Sequence, residues 1–286
     1  MSAAVVLNGI LLGGLYGMSA MGLSLVFGVL RLVNMAHGAM LVLGAYLAVL
    51  ITAGTPLPLP VAGACAVLLA GGLGYVLQRH LLTAMLVRGA NGPLVATFGL
   101  SLIASGLVAL RFGSDPVSIP TALGTAGWSL WGLDVRAAYA VSFALAGVVA
   151  VALHLTLSRT RLGAAVRAAA ADPRTADLIG IDVRTLYALV FAVASALAAL
   201  AGLLVGVAFS VSPQSGTSYL LIAMAVVVLG GIGNVLGTFA GAILLGVVQT
   251  LAAAQFGGGY RDLVVYILFF VVLAVLPRGL FGRRLT

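Results

Sequence analysis

The 286-residue chain is 63% hydrophobic and only 7% charged, with a mean hydropathy of +1.24 and a formal net charge of +8. Those values exclude a water-soluble domain with a polar exterior, and the basic excess falls at the boundaries of apolar segments, so a nucleic-acid partner is excluded too. What remains is a polytopic membrane protein whose spans are helices, since the ten-residue alternation of a barrel is absent.

Nine apolar segments are predicted, at about residues 4–30, 35–52, 59–78, 94–110, 137–157, 185–209, 219–233, 235–253 and 263–276. A helix needs roughly 20 apolar residues to cross a bilayer core about 30 Å thick. The expected fold class is therefore all-α, one transmembrane domain over residues 1–286 with 8–9 spans. The opening MSAAVVLNGI has no basic stretch of the kind that starts a cleaved signal peptide, so the first helix is expected to be retained. That segment is long and holds Gly9, Gly13, Gly14, Gly17, Gly22 and Gly28, while 219–233 is short and runs into GGIGNVLG. Either is open to being a broken or re-entrant helix, which is tolerated where protein or a water-filled cavity surrounds it. The alternative is close helix packing, because Gly13/Gly17, Gly202/Gly206 and Gly237/Gly241 have small-residue contact spacing.

Several polar residues interrupt the spans. Asn8 and Ser19 share a face of the first helix, and Thr97, Ser101 and Ser105 recur every four residues along one face of the fourth. Together with Gln249 they either line a path or bond a neighbouring helix and their own backbone. Asn34 is placed to cap the second helix, with His37 in its first turn, in a packing or a gating role. Trp128 and Trp131, followed by Arg136, read as an anchor at the membrane surface.

Residues 158–184 form the one sizeable charged loop. Asp172 followed by Pro173 reads as a helix cap and first helical residue, and Gly180 as the residue past the helix end, so a short helix is predicted over 173–179. An alanine-rich turn over about 162–171 precedes it, with Arg167 available to an acidic partner surface. Two uses are open: docking of a soluble partner, or an amphipathic pair lying on anionic lipid.

Alternation of the spans with this loop in the cytoplasm puts Arg31, Arg79, Arg88, Arg159, Arg161, Arg167, Arg174, Arg184, Arg278, Arg283 and Arg284 inside, and only Arg111, Arg136 and Arg261 outside. Asp divides evenly, which is the positive-inside pattern. The amino terminus is then outside and the carboxyl terminus, with its PRGLFGRRLT tail, inside. Helices 1–4 and 6–9 have opposite orientations about the fifth, which allows an inverted repeat.

The chain has no lysine and no glutamate. A P-loop lysine is therefore impossible, and no Asp lies mid-span to relay protons. His37, His80 and His154 lack metal-ligand spacing, and Cys65 has no partner for an internal disulfide. No cofactor, metal or catalytic residue is expected. Passage of a solute with energy supplied from elsewhere is the remaining reading.

GGLYGMSAMGLSLVFGVLRLVNMAHGAMLVLGAYLA (13–48), TRLGAAVRAAAADPRTADLIGIDVRTLYALVFAVASALAALAGLL (160–204), VVVLGGIGNVLGTFAGAILLG (226–246) and PRGLFGRR (277–284) occur in this order. Together they resemble the permease subunits of ATP-binding-cassette importers for branched-chain amino acids, in the branch similar to the first of two paired permeases. The resemblance implies a multi-pass subunit of the bacterial inner membrane with a second, paralogous permease, two cytoplasmic ATP-binding subunits and an extracytoplasmic substrate-binding protein as partners. It also implies that Gly163, Arg167, Ala169, Asp172, Pro173, Ala176 and Gly180 belong to a coupling element seated on an ATPase. Urea or short amides as substrates, and a secondary transporter or channel working alone, stay open as alternatives.

Overall fold

The computed structural model describes residues 3–86, 92–130, 133–275 and 279–280. Among these the chain is a helical bundle. Its elements in order are α1 (Ala3–Leu30), α2 (His37–Gly54), α3 (Leu59–Val76) continued by a π-helical turn (Leu77–Leu82) and α4 (Thr83–Leu86), α5 (Gly92–Phe112), α6 (Ala122–Thr125), an antiparallel hairpin of β1 (Gly127–Leu130) and β2 (Leu133–Arg136), α7 (Ala137–Arg159), α8 (Arg161–Ala171), α9 (Pro173–Leu178), α10 (Val183–Ala208), α11 (Ser215–Gly230), α12 (Val235–Phe256), a 3-10 turn (Gly258–Tyr260) and α13 (Arg261–Val275). Eight of the described helical segments are long and apolar enough to cross a membrane. The ninth expected segment is α11, whose 16 residues span only about 24 Å, short of the roughly 30 Å of a bilayer core.

The first segment is not broken, contrary to one of the two readings open for it. α1 runs uninterrupted through all six of its glycines and sits in the middle of the bundle against α7, α10, α11 and α12. Lipid tails are as apolar as the helix surfaces, so close packing and not water exclusion must hold such helices together. The glycines supply that closeness: a Cβ at Gly13 would lie 2.8 Å from the carbonyl oxygen of Ala242, and one at Gly28 would lie 2.6 Å from the Cα of Gly233. Gly202 similarly faces the backbone of Leu41 on α2, and Gly237 and Gly241 face Gly230 on α11. A buried hydroxyl pair, Thr238 donating to Ser24 at 2.9 Å, adds a polar tie between α12 and α1. The irregular backbone lies elsewhere, in the π turn after α3.

The two ends of the bundle are distinct. The end where α1 starts carries the β-hairpin, pinned there by Asn8: its Nδ2 donates to the Asp134 carbonyl at 2.8 Å and its Oδ1 accepts from the Arg136 amide at 3.3 Å. Asn8 thus anchors a loop. Trp128 is half-exposed on β1, and Trp131 lies outside the described residues. At the other end α8 and α9 fold under α1 and α10 around Leu30, Leu32, Val166 and Leu186.

Candidate functional site

The charged loop folds as its sequence directs. Thr160 caps α8, its hydroxyl accepting from the Gly163 amide at 3.1 Å. Gly163 lies against the last turn of α7, where a Cβ would meet the backbone carbonyls of Thr156 and Leu157. Arg167 is exposed and turns one nitrogen, Nη1, back to donate to the Leu157 carbonyl. Asp172 caps α9: one carboxylate oxygen accepts from the Arg174 amide at 2.9 Å and the other from the Thr175 hydroxyl at 2.6 Å. These bonds, that from Thr175 foremost, hold the Asp172 carboxyl below its ordinary pKa.

Pro173 is the first helical residue, and α9 ends at Leu178, one residue short of the expected 179. Gly180 then takes φ +88° while its amide donates to Asp177 O and the Ile181 amide to Ala176 O. That pair of bonds is a Schellman closure, which requires the left-handed conformation glycine adopts without penalty. Asp182 caps α10 in the same way through Thr185, whose hydroxyl bond chiefly lowers the carboxyl pKa; Arg79 of the π turn donates to Thr185 at 3.0 Å.

Ala169 and Ala176 do not face outward. Both are buried in the chain's own core beneath Val166, Val190 and Phe191, so their small side chains serve internal packing. The apolar groups that the loop does expose are Leu162, Leu178 and Ile179, with Leu178 at 87% exposure. The sequence carried a signal for the last two, an adjacent aliphatic pair immediately before Gly180 at the end of a helix that is otherwise short of large apolar side chains.

Asn34 is not the cap of α2. The helix begins at His37 after a turn, with Ala36 at the cap position, and Asn34 instead accepts from the Ala36 amide at 3.0 Å. His37 is fully enclosed, with Nε2 2.8 Å from the Ser19 carbonyl of α1. Thr97 is buried and accepts from the Met35 amide at 3.2 Å, tying α5 to the α1–α2 connection. Ser101 donates to the Phe98 carbonyl of its own helix at 2.7 Å, and Ser105 is half-buried one turn further on. Gln249 lies far from that stripe, on α12, where it accepts a buried hydrogen bond from the Tyr16 hydroxyl of α1.

Tyr16 and Gln249 form the floor of a cavity of about 390 Å³. It occupies the space left beyond the short α11, at the end of the bundle where α1 starts. Tyr219 and Ser218 of α11, Phe209 at the end of α10, and Arg261 and Asp262 at the start of α13 complete its wall. Sequence reading took Arg261 for a boundary charge. The Arg-Asp pair opening a helix was the available sign of something more. A second cavity, of about 490 Å³, lies at the opposite end between Arg167, His154 and the Ile232–Val235 turn, next to the charged loop.

The family of branched-chain amino acid transport system permease components matches residues 5–273. The chain belongs to that family. It is 33% identical over 293 residues to the high-affinity branched-chain amino acid transport system permease protein BraD of Pseudomonas aeruginosa, covering 96% of this chain and 94% of that protein. It is 30% identical over 290 residues, with the same coverages, to the corresponding LivH protein of Escherichia coli K12. Among solved structures it resembles a chain of PsaBC from Streptococcus pneumoniae in complex with Fab, at a TM-score of 0.53 and 10% identity over 98% of this chain and 93% of that one. That likeness concerns the fold alone. The chain is a multi-pass permease subunit, and the importer reading made from its sequence holds.

Proposed function

We propose that the chain is the membrane-spanning half of an ATP-driven importer that passes branched-chain or other small aliphatic amino acids inward, its amino terminus outside and its carboxyl terminus and 158–184 loop in the cytoplasm. Its partners in this reading are a second, paralogous permease, two cytoplasmic ATP-binding subunits and an external binding protein. Energy comes from the ATP-binding subunits, since a chain without lysine has no P-loop. The observation that carries the reading is α9, capped at both ends and tied by α8 to α1, with Leu178 and Ile179 exposed at its tip. A rigid, apolar-tipped helix at the end of a bundle is shaped to transmit a push from a partner seated on it.

In this assembly Gly163, Arg167, Ala169, Asp172, Pro173, Ala176 and Gly180 build the shape of the coupling element. Leu162, Leu178 and Ile179 make the contact. The test is uptake of labelled leucine into proteoliposomes with and without the ATP-binding subunits and the binding protein, with a protonophore added in parallel. ATP-dependent uptake that survives the protonophore is expected; gradient-driven accumulation by this chain alone would overturn the proposal.

A further inference from the structure

We infer that the cavity between α1, α11, α12 and α13 is a receiving site for the zwitterionic backbone of an amino acid, in which Arg261 takes the α-carboxylate and Asp262 the α-ammonium. The inference rests on the importer reading and adds to it a place where the permease itself reads its cargo.

Three observations point to a ligand that carries both charges. Arg261 is half-buried, and its Nε is shielded from solvent without a hydrogen-bond partner among the described residues. Its guanidinium lies 5.9 Å from the centroid of the Phe209 ring, which orients the group without neutralising it. A half-buried guanidinium with an unused donor is poised for a carboxylate, which pairs with its planar fork through two parallel bonds. Next to it Asp262 is exposed and forms no hydrogen bond with a described residue, so it is free for an ammonium.

The second observation is the meeting of two helix starts at the cavity, at Ser215 and at Arg261. Both bring the positive end of a helix dipole toward the position a carboxylate would take. The third is depth. Because α11 is short, the cavity reaches Tyr16, midway along α1, and its floor is the buried Tyr16–Gln249 pair with Ile222 beside it. An aliphatic side chain entering ahead of the charged groups would rest against Ile222. A neutral amide or urea would leave one or both charged groups unmatched, and a site built around opposite charges rejects such a ligand.

The test uses the assembled complex carrying S218C in a C65S background, with alkylation of the new thiol at the cavity wall followed while millimolar leucine, leucinamide or isovalerate is present. Leucine should slow alkylation, and leucinamide and isovalerate, each lacking one charge, should not. R261Q should weaken protection by leucine roughly 30-fold and D262N, at an exposed position, up to about 5-fold, while R261K retains part of it. Asp262 is exposed, so D262N decides the matter if R261Q fails to assemble. Equal protection by leucinamide, undiminished protection in the variants, or no protection in the parent would overturn the site. Leucine uptake by the parent complex is measured in parallel: uptake without protection sinks the cavity inference alone, and no uptake sinks the importer reading beneath it.

Discussion

Gly163 and Gly180 bracket the coupling element and are required for different reasons, which a pair of alanine variants separates. At Gly163 the constraint is space. A Cβ there would lie 2.6 Å from the carbonyl carbon of Leu157 and nearer still to two carbonyl oxygens, against about 3.4 Å for ordinary contact. The obstacle is backbone at the end of a 23-residue helix and not the tip of a flexible side chain. α8 must therefore withdraw from α7 by about 1 Å to free the nearest carbonyl oxygen, at the overpacking cost of about 1–3 kcal/mol. At Gly180 nothing lies within 4 Å and the constraint is φ alone, so G180A costs about 1–2 kcal/mol through the left-handed backbone. Hydrogen exchange of the purified chain in nanodiscs reads both. G163A should accelerate exchange of the α8 amides by about 5- to 150-fold and loosen the Arg167–Leu157 tie, whereas G180A should affect α9 and leave α8 unchanged. If α8 in G163A exchanged like the parent, the close approach of α8 to α7 would be wrong and Gly163 would have no spatial role.

Y16F leaves Gln249 buried with its acceptor unused, at about 1–3 kcal/mol, and should lower the thermal midpoint in detergent more than Y16F/Q249L, which removes both partners; equal losses would deny the pair. N8A removes both ties to the hairpin and should make residues 127–136 sensitive to protease added from the amino-terminal side while the spans stay intact, so unchanged resistance would show another anchor. Asp172 and Asp182 have pKa values lowered on folding, so the order they give the loop is fully present above the unfolded carboxyl range and is lost as pH falls through their folded values. Exchange at α9 and the start of α10, corrected for intrinsic rate, should therefore rise only below about pH 4, and D172N should abolish that dependence at α9; a transition near neutral pH would refute the assignment.

The loop was legible because its determinants are local. Asp172, Pro173 and Gly180 fix the ends of α9 through bonds to residues within a few positions, and the apolar runs fix the spans by composition. The sense of Ala169 and Ala176 was not legible, since an alanine chosen for close contact looks the same whether the neighbour is a partner or the chain's own core. Asn34 was misplaced by a turn of two residues between it and α2, which leaves no mark in hydropathy. The cavity was hidden for the opposite reason: Tyr16, Tyr219, Gln249 and Arg261 come from four helices spread over nearly the whole chain, and only packing makes them neighbours. Asn8 shows the same limit, since a place on a polar helical face does not tell a path from an anchor.

The central position of α1 bears on how the chain is made. α1 leaves the ribosome before every helix that later encloses it, and its most extensive partner, α12, follows more than 200 residues on. Until then its glycine-rich faces lie open to lipid or to unrelated helices, and contacts of such long sequence separation form late and slowly. The bundle therefore closes around α1 only once α12 is made, and a message truncated before α12 should yield a product that membrane proteases clear rather than a partial bundle that persists.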